Sequence, residues 1–331
     1  MWITNFISSA VTSIFETQLD FENTALESFR FQAQNNAIYR DYLKLLNVNP
    51  QKIESINSIP FLPINFYKTK KIVTGNIDSS TIVFSSSRTT GSEPSLHYVN
   101  DISLYEKAFT ETFNQFYKNA DQWCILALLP SYLEREGSSL VYMCKHLIDK
   151  TEKKSSGFYL NDFRKLADTI TVNEQKGIKT LLIGVSFALL DFAHAHPMPL
   201  KNTVIMETGG MKGRRKEMIR QELHNILTEA FHLKTIHSEY GMTELLSQAY
   251  SSGNGIFHCP PWMQVFVRDN NDPLSESLPG QGGINIIDLA NINSCCFIAT
   301  QDIGRVYADG TFEILGRFDN AEVRGCNLLF E

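Results

Sequence analysis

The sequence predicts an α/β fold whose last part is rich in short strands, on three observations. Apolar runs without polar alternation recur between Thr81 and His237. Amphipathic helical stretches separate them, the pattern of parallel βαβ winding. After Gly255 the style changes to short strands divided by Asn-Asp-Pro, Pro-Gly-Gln-Gly-Gly and Asp-Gly turns, which reads as antiparallel or barrel-like β structure.

Each element follows from local pattern. Residues 1–60 read as helical: Trp2, Ile3, Phe6, Ile7, Val11, Ile14 and Phe15 make one apolar face. Phe21 to Leu46 continues at helical spacing until Asn47-Val-Asn-Pro50 stops it. Pro60 and Pro63 bracket an extended segment, and Thr81 to Phe84 is a short β-branched run. Leu104 to Tyr117, Leu140 to Ile148, Phe163 to Val172, Phe187 to Ala195 and Gly213 to Phe231 read as helices. Trp123 to Leu129, Lys179 to Val185, Thr203 to Met206 and Lys234 to His237 read as strands. The later strands are Val265 to Arg268, Gly283 to Asp288, Cys296 to Thr300, Arg305 to Tyr307 and Thr311 to Leu315. The expected divisions are a helical segment at 1–78, an α/β core at 79–255, a β-rich subdomain at 256–319 and a tail at 320–331.

Bulk properties narrow the function. A chain of 331 residues with 43% hydrophobic content can bury a large core, as one α/β unit or two intimate subdomains. The net charge of −6 and the lack of a long basic stripe argue against a nucleic-acid partner. Six cysteines are too few for a disulfide framework and point to a reducing cytoplasm. Met1 to Glu16 contains no Lys or Arg, so neither a secretory leader nor a basic membrane anchor is expected. No apolar run of about 18 residues is present, so no membrane insertion is expected.

Four segments carry polar chemistry. Ser85-Ser-Ser-Arg-Thr-Thr-Gly91 follows a strand, and its hydroxyls and backbone N–H groups suit phosphate oxygens; it is equally an ordinary polar turn. Glu207-Thr-Gly-Gly-Met-Lys212 ends a strand, where Gly209 and Gly210 would let a flat ring approach, or simply make a strand-to-helix turn. In Tyr240-Gly-Met-Thr-Glu244, Tyr240 could stack on a base, Gly241 supply flexibility, Thr243 bond a phosphate and Glu244 hold Mg²⁺. Its bland reading is a helix start capped by Thr243. Asp302, ending a strand, could take ribose hydroxyls. Downstream, Ala308-Asp-Gly310 is a hairpin signal, and Gly316-Arg-Phe-Asp319 could be a connection with a surface ion pair.

In this order the segments resemble the adenylate-forming superfamily of acyl-CoA synthetases and their relatives. A narrower resemblance, to the LuxE-type acyl-protein synthetases, covers nearly the whole chain. It rests on Leu129 to Arg135, Gly137 to Tyr142, Phe257-His-Cys-Pro-Pro-Trp-Met263, Asp288-Leu-Ala-Asn-Ile292 and Arg324-Gly-Cys-Asn-Leu328. The resemblance implies the large N-terminal domain of the adenylate-forming type: doubly wound parallel layers plus a smaller barrel-like β subdomain, without the mobile C-terminal domain. It implies ATP with Mg²⁺ as cofactors, a fatty or other carboxylic acid as substrate, and acyl-AMP formation. Acyl transfer to a thiol follows, with a reductase or carrier protein as a possible final acceptor. By position, Ser86, Arg88, Thr89, Thr90 and Gly91 would hold phosphates, Gly209, Gly210, Tyr240, Gly241 and Thr243 would line the nucleotide, and Asp302 would bind ribose. Arg317 would steady the nucleotide and Glu244 the metal.

Cys326 matches the family's acyl-carrying cysteine. A thiolate attacks a mixed anhydride readily, Arg324 two residues away favours the thiolate, and Gly325 lets the backbone bend. Cys124 and Cys144 sit in apolar runs and read as core; His258-Cys259 with Cys295 or Cys296 lacks ordinary zinc spacing. The chain departs from the superfamily at Arg88, where Gly is usual, and in having no Lys soon after the loop; Arg88 could supply phosphate charge or block the loop. Lys212, Arg317 or Arg324 could replace the lysine of the absent C-terminal domain. The alternatives are an acyl- or partner-binding protein of the same fold without turnover, and a ligase that passes the acyl group to CoA or a carrier protein.

Overall fold

The computed structural model describes residues 14–16, 18–77, 79–86, 93–129, 137–209, 218–272, 274–275 and 280–318. The chain opens with helices α1 (Phe21–Asn35) and α2 (Ala37–Leu45). Asp20 and Asn36 cap them by accepting N–H bonds from Asn23 and Tyr39. A two-residue strand β1 (Leu62–Pro63), a single turn α3 (Phe66–Thr69) and the hairpin of β2 (Ile82–Ser85) and β3 (Leu96–Val99) lead to α4 (Ile102–Tyr117).

Strands and helices then alternate: β4 (Cys124–Leu128), α5 (Ser139–Asp149), β5 (Gly157–Phe158), α6 (Phe163–Gln175), β6 (Thr180–Gly184), α7 (Ser186–Ala195), β7 (Thr203–Glu207), α8 (Arg220–Phe231) and β8 (His237–Tyr240). With β9 (Ala249–Ser251) they form a sheet in the order β5-β4-β6-β7-β8-β9, parallel except for the β8–β9 pair. Every residue of β4 and β6 is buried, which is why those runs show no alternation. Strand β8 begins where the expected strand Lys234 to His237 ends. Its polar residues hid it: Ser238 is fully buried, its hydroxyl bonded to Glu207 of β7 and 3.4 Å from His224 Nε2 of α8.

Two helix groups cover this sheet. Phe163, Phe192 and Phe231 stack α6, α7 and α8 together, while Tyr105, Phe109 and the aromatic pair Tyr142 and His146 join α4 to α5. Ser238 faces α8, whereas Tyr250 of β9, paired with Glu239, packs on Phe116 and Tyr117 of α4. Adjacent strand residues point to opposite faces, so the two groups lie on opposite sides.

The second sheet contains β10 (Met263–Arg268), β11 (Gly280–Asp288), β12 (Phe297–Val306) and β13 (Phe312–Arg317), antiparallel in sequence order, with β1 parallel to the first half of β12. The barrel-like expectation is corrected here: among the described residues no pairing closes the sheet, and β10 remains an edge. The strands expected at Cys296 to Thr300 and Arg305 to Tyr307 are one strand, continued through a register shift at Ile303 and Gly304. A Cβ at Gly304 would lie 2.4 Å from the Glu313 carbonyl, so only glycine fits there. Asp302 therefore sits within β12 and not at a strand end. Helix α1 packs on this sheet through Phe29 and Phe297, and Gln32 ties it down with bonds to the carbonyls of Asn291, Ile292 and Ser294 and from the Cys296 N–H. No helix among the described residues is long and apolar enough to cross a membrane.

Candidate functional site

The site forms where the carboxyl ends of β7 and β8 meet β12 and β13, the place where open α/β sheets bind ligands. Tyr240 is the last residue of β8. Its ring packs against Phe257 and Phe312, and its hydroxyl donates to Asp302 Oδ2 at 2.7 Å. Burial, then the Asp302 charge, push the Tyr240 hydroxyl well above its ordinary range, so it stays a donor. Arg317 lies directly opposite Asp302 in the β12–β13 register, and its Nε is 3.0 Å from Asp302 Oδ1. The arginine is 69% exposed while Asp302 is buried. The cluster thus joins a buried ring, a buried carboxylate and a solvent-exposed guanidinium.

After Tyr240 the chain turns without forming a helix, so Thr243 caps none. Three groups hold this turn. His97 of β3 donates from Nδ1 to the Thr243 carbonyl at 2.7 Å, and its Nε2 lies 3.0 Å from Asn291 Oδ1. Asn291 in turn donates to the Glu244 carbonyl at 2.8 Å. Asp288, fully buried, accepts from the N–H groups of Leu246 and Ser247, from the Ser247 hydroxyl and from the Ala290 N–H. Trp262 donates to that same Ser247 hydroxyl at 2.9 Å. Burial holds the His97 imidazole down at about 4 against these bonds.

The Glu244 side chain is buried and hydrogen-bonded to Ser95. Burial raises its carboxyl above the usual carboxylate range; Ser95 and the Arg317 charge oppose this. Ser95 also exchanges backbone and side-chain bonds with Ser86: Ser95 N–H donates to Ser86 Oγ at 2.8 Å and Ser86 N–H to the Ser95 carbonyl at 3.0 Å. Ser86 therefore closes the base of the β2–β3 loop directly beside Glu244. A single buried carboxylate fits Mg²⁺ held chiefly by phosphate oxygens, and a nearby divalent charge would favour its ionised form.

Gly209 follows β7 with a φ of +64°, a conformation suited to glycine. Its N–H donates to Glu207 Oε2 at 2.7 Å. Burial would raise Glu207, but His224, Arg220, Ser238 and the Gly209 N–H outweigh it and bring the carboxyl to about 2. Glu207, the last residue of β7, pairs with Ser238, so the Gly209 turn leaves β7 beside the end of β8. Among the described residues the neighbouring Thr208 hydroxyl is buried without a hydrogen-bond partner, a group the sequence did not single out.

Of the expected site residues, Tyr240, Asp302 and Arg317 are in direct contact, with Glu244, Ser86, Gly209, Gly241 and the Thr243 backbone around them. Arg88, Thr89, Thr90, Gly91, Gly210 and Cys326 lie outside the described residues, as do Lys212, Asp319 and Arg324. His97, Asn291 and Asp288 were not foreseen as supports, although two of the long segments behind the family resemblance contain Asn291, Asp288 and Trp262. No group of three or more His, Cys, Asp or Glu residues among the described residues could bind a metal by itself.

No protein-family model matches the chain. Over 324 residues the chain is 24% identical to the long-chain-fatty-acid–luciferin-component ligase of Vibrio harveyi, covering 91% of this chain and 84% of that protein. A ligase of the same name from Aliivibrio fischeri is 24% identical over 342 residues, 95% of this chain and 89% of the relative. Among solved structures, an open form of 2-hydroxyisobutyryl-CoA ligase in complex with 2-HIB-AMP and CoA superposes with a TM-score of 0.64 at 10% identity, over 90% of this chain and 75% of the ligase. The fold is that of the adenylate-forming ligases, and the resemblance to LuxE-type proteins extends across most of the chain.

Proposed function

We propose that this protein is an AMP-forming ligase that activates a fatty acid with ATP and passes the acyl group to a protein thiol, Cys326 or one on a partner. The observation that carries the reading is the Tyr240–Asp302–Arg317 cluster standing above the Glu244 turn. Asp302 keeps acceptor capacity for ribose hydroxyls once Arg317 swings outward, and Tyr240 holds the carboxylate in place. Gly209 leaves a stretch without side chain just past the end of the neighbouring strand β7. Ser86 roots the loop that would carry the phosphates. Mg²⁺ bound by Glu244 would offset charge on the phosphates. The acid and ATP are both anionic, and Arg317 is a mobile cation within reach of that repulsion.

In the first step a carboxylate oxygen attacks the α-phosphorus, the bond to the β-phosphate oxygen breaks, and pyrophosphate leaves. In the second a thiolate attacks the acyl carbon and AMP leaves, giving a thioester. The described cysteines make poor competitors for this role. Cys124, Cys144, Cys295 and Cys296 are buried, and desolvation raises the thiols of Cys144, Cys259, Cys295 and Cys296 away from the thiolate range. The test is incubation with labelled fatty acid and ATP. Covalent label on wild type that disappears in Cys326→Ser supports the reading. Label that persists in Cys326→Ser moves the thiol elsewhere, and acyl-AMP formation with no label on wild type assigns the acyl group to an external acceptor.

A further inference from the structure

One side chain ties the two sheets together beside the site. Arg220 is the first residue of α8, and its guanidinium is shared between elements. Its Nε donates to Glu207 Oε1 at 3.1 Å, and its Nη1 donates to the Ile314 carbonyl of β13 at 3.2 Å. The guanidinium carbon lies 5.0 Å from the centre of the Phe257 ring, a cation–π contact. Phe257 packs in turn on Tyr240 and Phe312. Phe257 and Phe312 also exchange both backbone hydrogen bonds, at 2.7 and 3.1 Å. The arginine stem runs along Gly255, where a Cβ would lie 3.3 Å from Arg220 Cδ.

Glu207 completes the link. It is buried at the end of β7, and its Oε2 accepts the Gly209 N–H at 2.7 Å. One carboxylate therefore holds the Gly209 turn on one oxygen and Arg220 on the other. The contacts run from Gly209 through Glu207 and Arg220 to Ile314, which precedes Arg317 on the same strand. An ion pair serving α8 alone needs no contact with β13. The planar guanidinium suits two acceptors in fixed directions, whereas an ammonium is a single point of donation. We propose that Arg220 is a positioning residue that, with Glu207, sets the span between the Gly209 turn and the Asp302–Arg317 pair, and so the fit of the nucleotide there. This rests on the ATP-using function proposed above. Arg220 acts through the backbone at Gly209 and Ile314, not on a reacting atom.

The test compares the 331-residue chain with Arg220→Met, Arg220→Lys and the double variant Glu207→Gln with Arg220→Met. Binding of ATP with Mg²⁺ is measured by equilibrium dialysis without acid. Pyrophosphate exchange gives kcat and the KM values for ATP and dodecanoic acid. Arg220→Met keeps the stem beside Phe257 and Gly255, and His224, Ser238 and the Gly209 N–H still face the Glu207 carboxylate. Arg220→Lys keeps a charge beside Glu207, so it retains the fold should Met not do so. Both variants should weaken ATP binding and raise KM for ATP by about tenfold, with kcat and KM for dodecanoic acid within about twofold of wild type. The double variant should be weakened no further than Arg220→Met, because both residues act through one link. Unchanged ATP binding in a folded Arg220 variant overturns the inference and leaves acid activation standing. A fall in kcat with KM for ATP unchanged, the mark of a merely structural residue, overturns it too, as do additive losses in the double variant. Weaker ATP binding by the Arg220 variants, with no acid-dependent exchange in wild type, supports the positioning role and refutes acid activation. A wild type that binds no ATP overturns both.

Discussion

Asp288 should be the most sensitive support of the site, and its substitution separates stability from chemistry. Its Oδ2 accepts Leu246 N–H at 2.9 Å and Ser247 N–H at 3.0 Å; its Oδ1 accepts the Ser247 hydroxyl at 2.6 Å and Ala290 N–H at 3.2 Å. Asp288→Ala leaves three buried backbone N–H groups without acceptors. At about 1–3 kcal/mol for each buried unsatisfied group, with partial relief from entering water, the cost is about 4–6 kcal/mol. Asp288→Asn keeps an oxygen for Leu246 and Ser247, and its amide can donate to the Ser247 hydroxyl. The Ala290 N–H and the Ser247 hydroxyl proton lose their acceptor, and the charge assistance goes, for about 2–4 kcal/mol. Urea unfolding followed by tryptophan fluorescence reads this directly, because Trp262 bonds the same Ser247 hydroxyl. Equal losses for the two variants, or losses below about 1 kcal/mol for Asp288→Ala, would refute the role given to this carboxylate.

Three further outcomes are expected. Tyr240→Phe removes a hydrogen bond to a charged group and should lower kcat/KM for ATP by about tenfold to a hundredfold, read by pyrophosphate exchange at varied ATP; an unchanged value would disconnect the ring from nucleotide binding. Arg317→Gln should change the urea midpoint only modestly, since the guanidinium itself is exposed and the Tyr240 hydroxyl still donates to Asp302, yet it should slow exchange; a large stability loss with normal exchange would contradict a functional role. His97 is held at about 4 in the folded protein against an ordinary 6.5, so the unfolded chain binds more protons between those values and stability falls as pH drops through that window. The loss is about 3 kcal/mol by pH 4, and denaturation curves of His97→Gln over that range should show a shallower pH dependence.

Much of the fold was legible because local signals agreed with tertiary structure. Strands β4 and β6 are apolar runs buried on both faces, β7 is buried but for Val204, and their helices carry ordinary amphipathic spacing. Tyr240 and Asp302 could be paired from sequence only through family likeness, since 62 residues separate them. The support under Glu244 was not readable: His97 meets Thr243 across 146 residues, through a histidine that looks unremarkable in a short strand. Strand β8 was misplaced because Ser238 and Glu239 look like loop residues until α8 and β9 surround them. Asp302 was placed at a strand end because Gly304 reads as a break, whereas it accommodates the close approach of β13.

The central claim is that the Tyr240–Asp302–Arg317 cluster serves adenylation of a carboxylic acid. Acid-dependent ATP–pyrophosphate exchange, compared between wild type and Asp302→Asn, tests it most directly. The account predicts exchange that requires a fatty acid and falls by about a hundredfold in Asp302→Asn, with the folded state retained in urea titration. Exchange that is absent from the wild type, or equally fast in a folded Asp302→Asn variant, would contradict it.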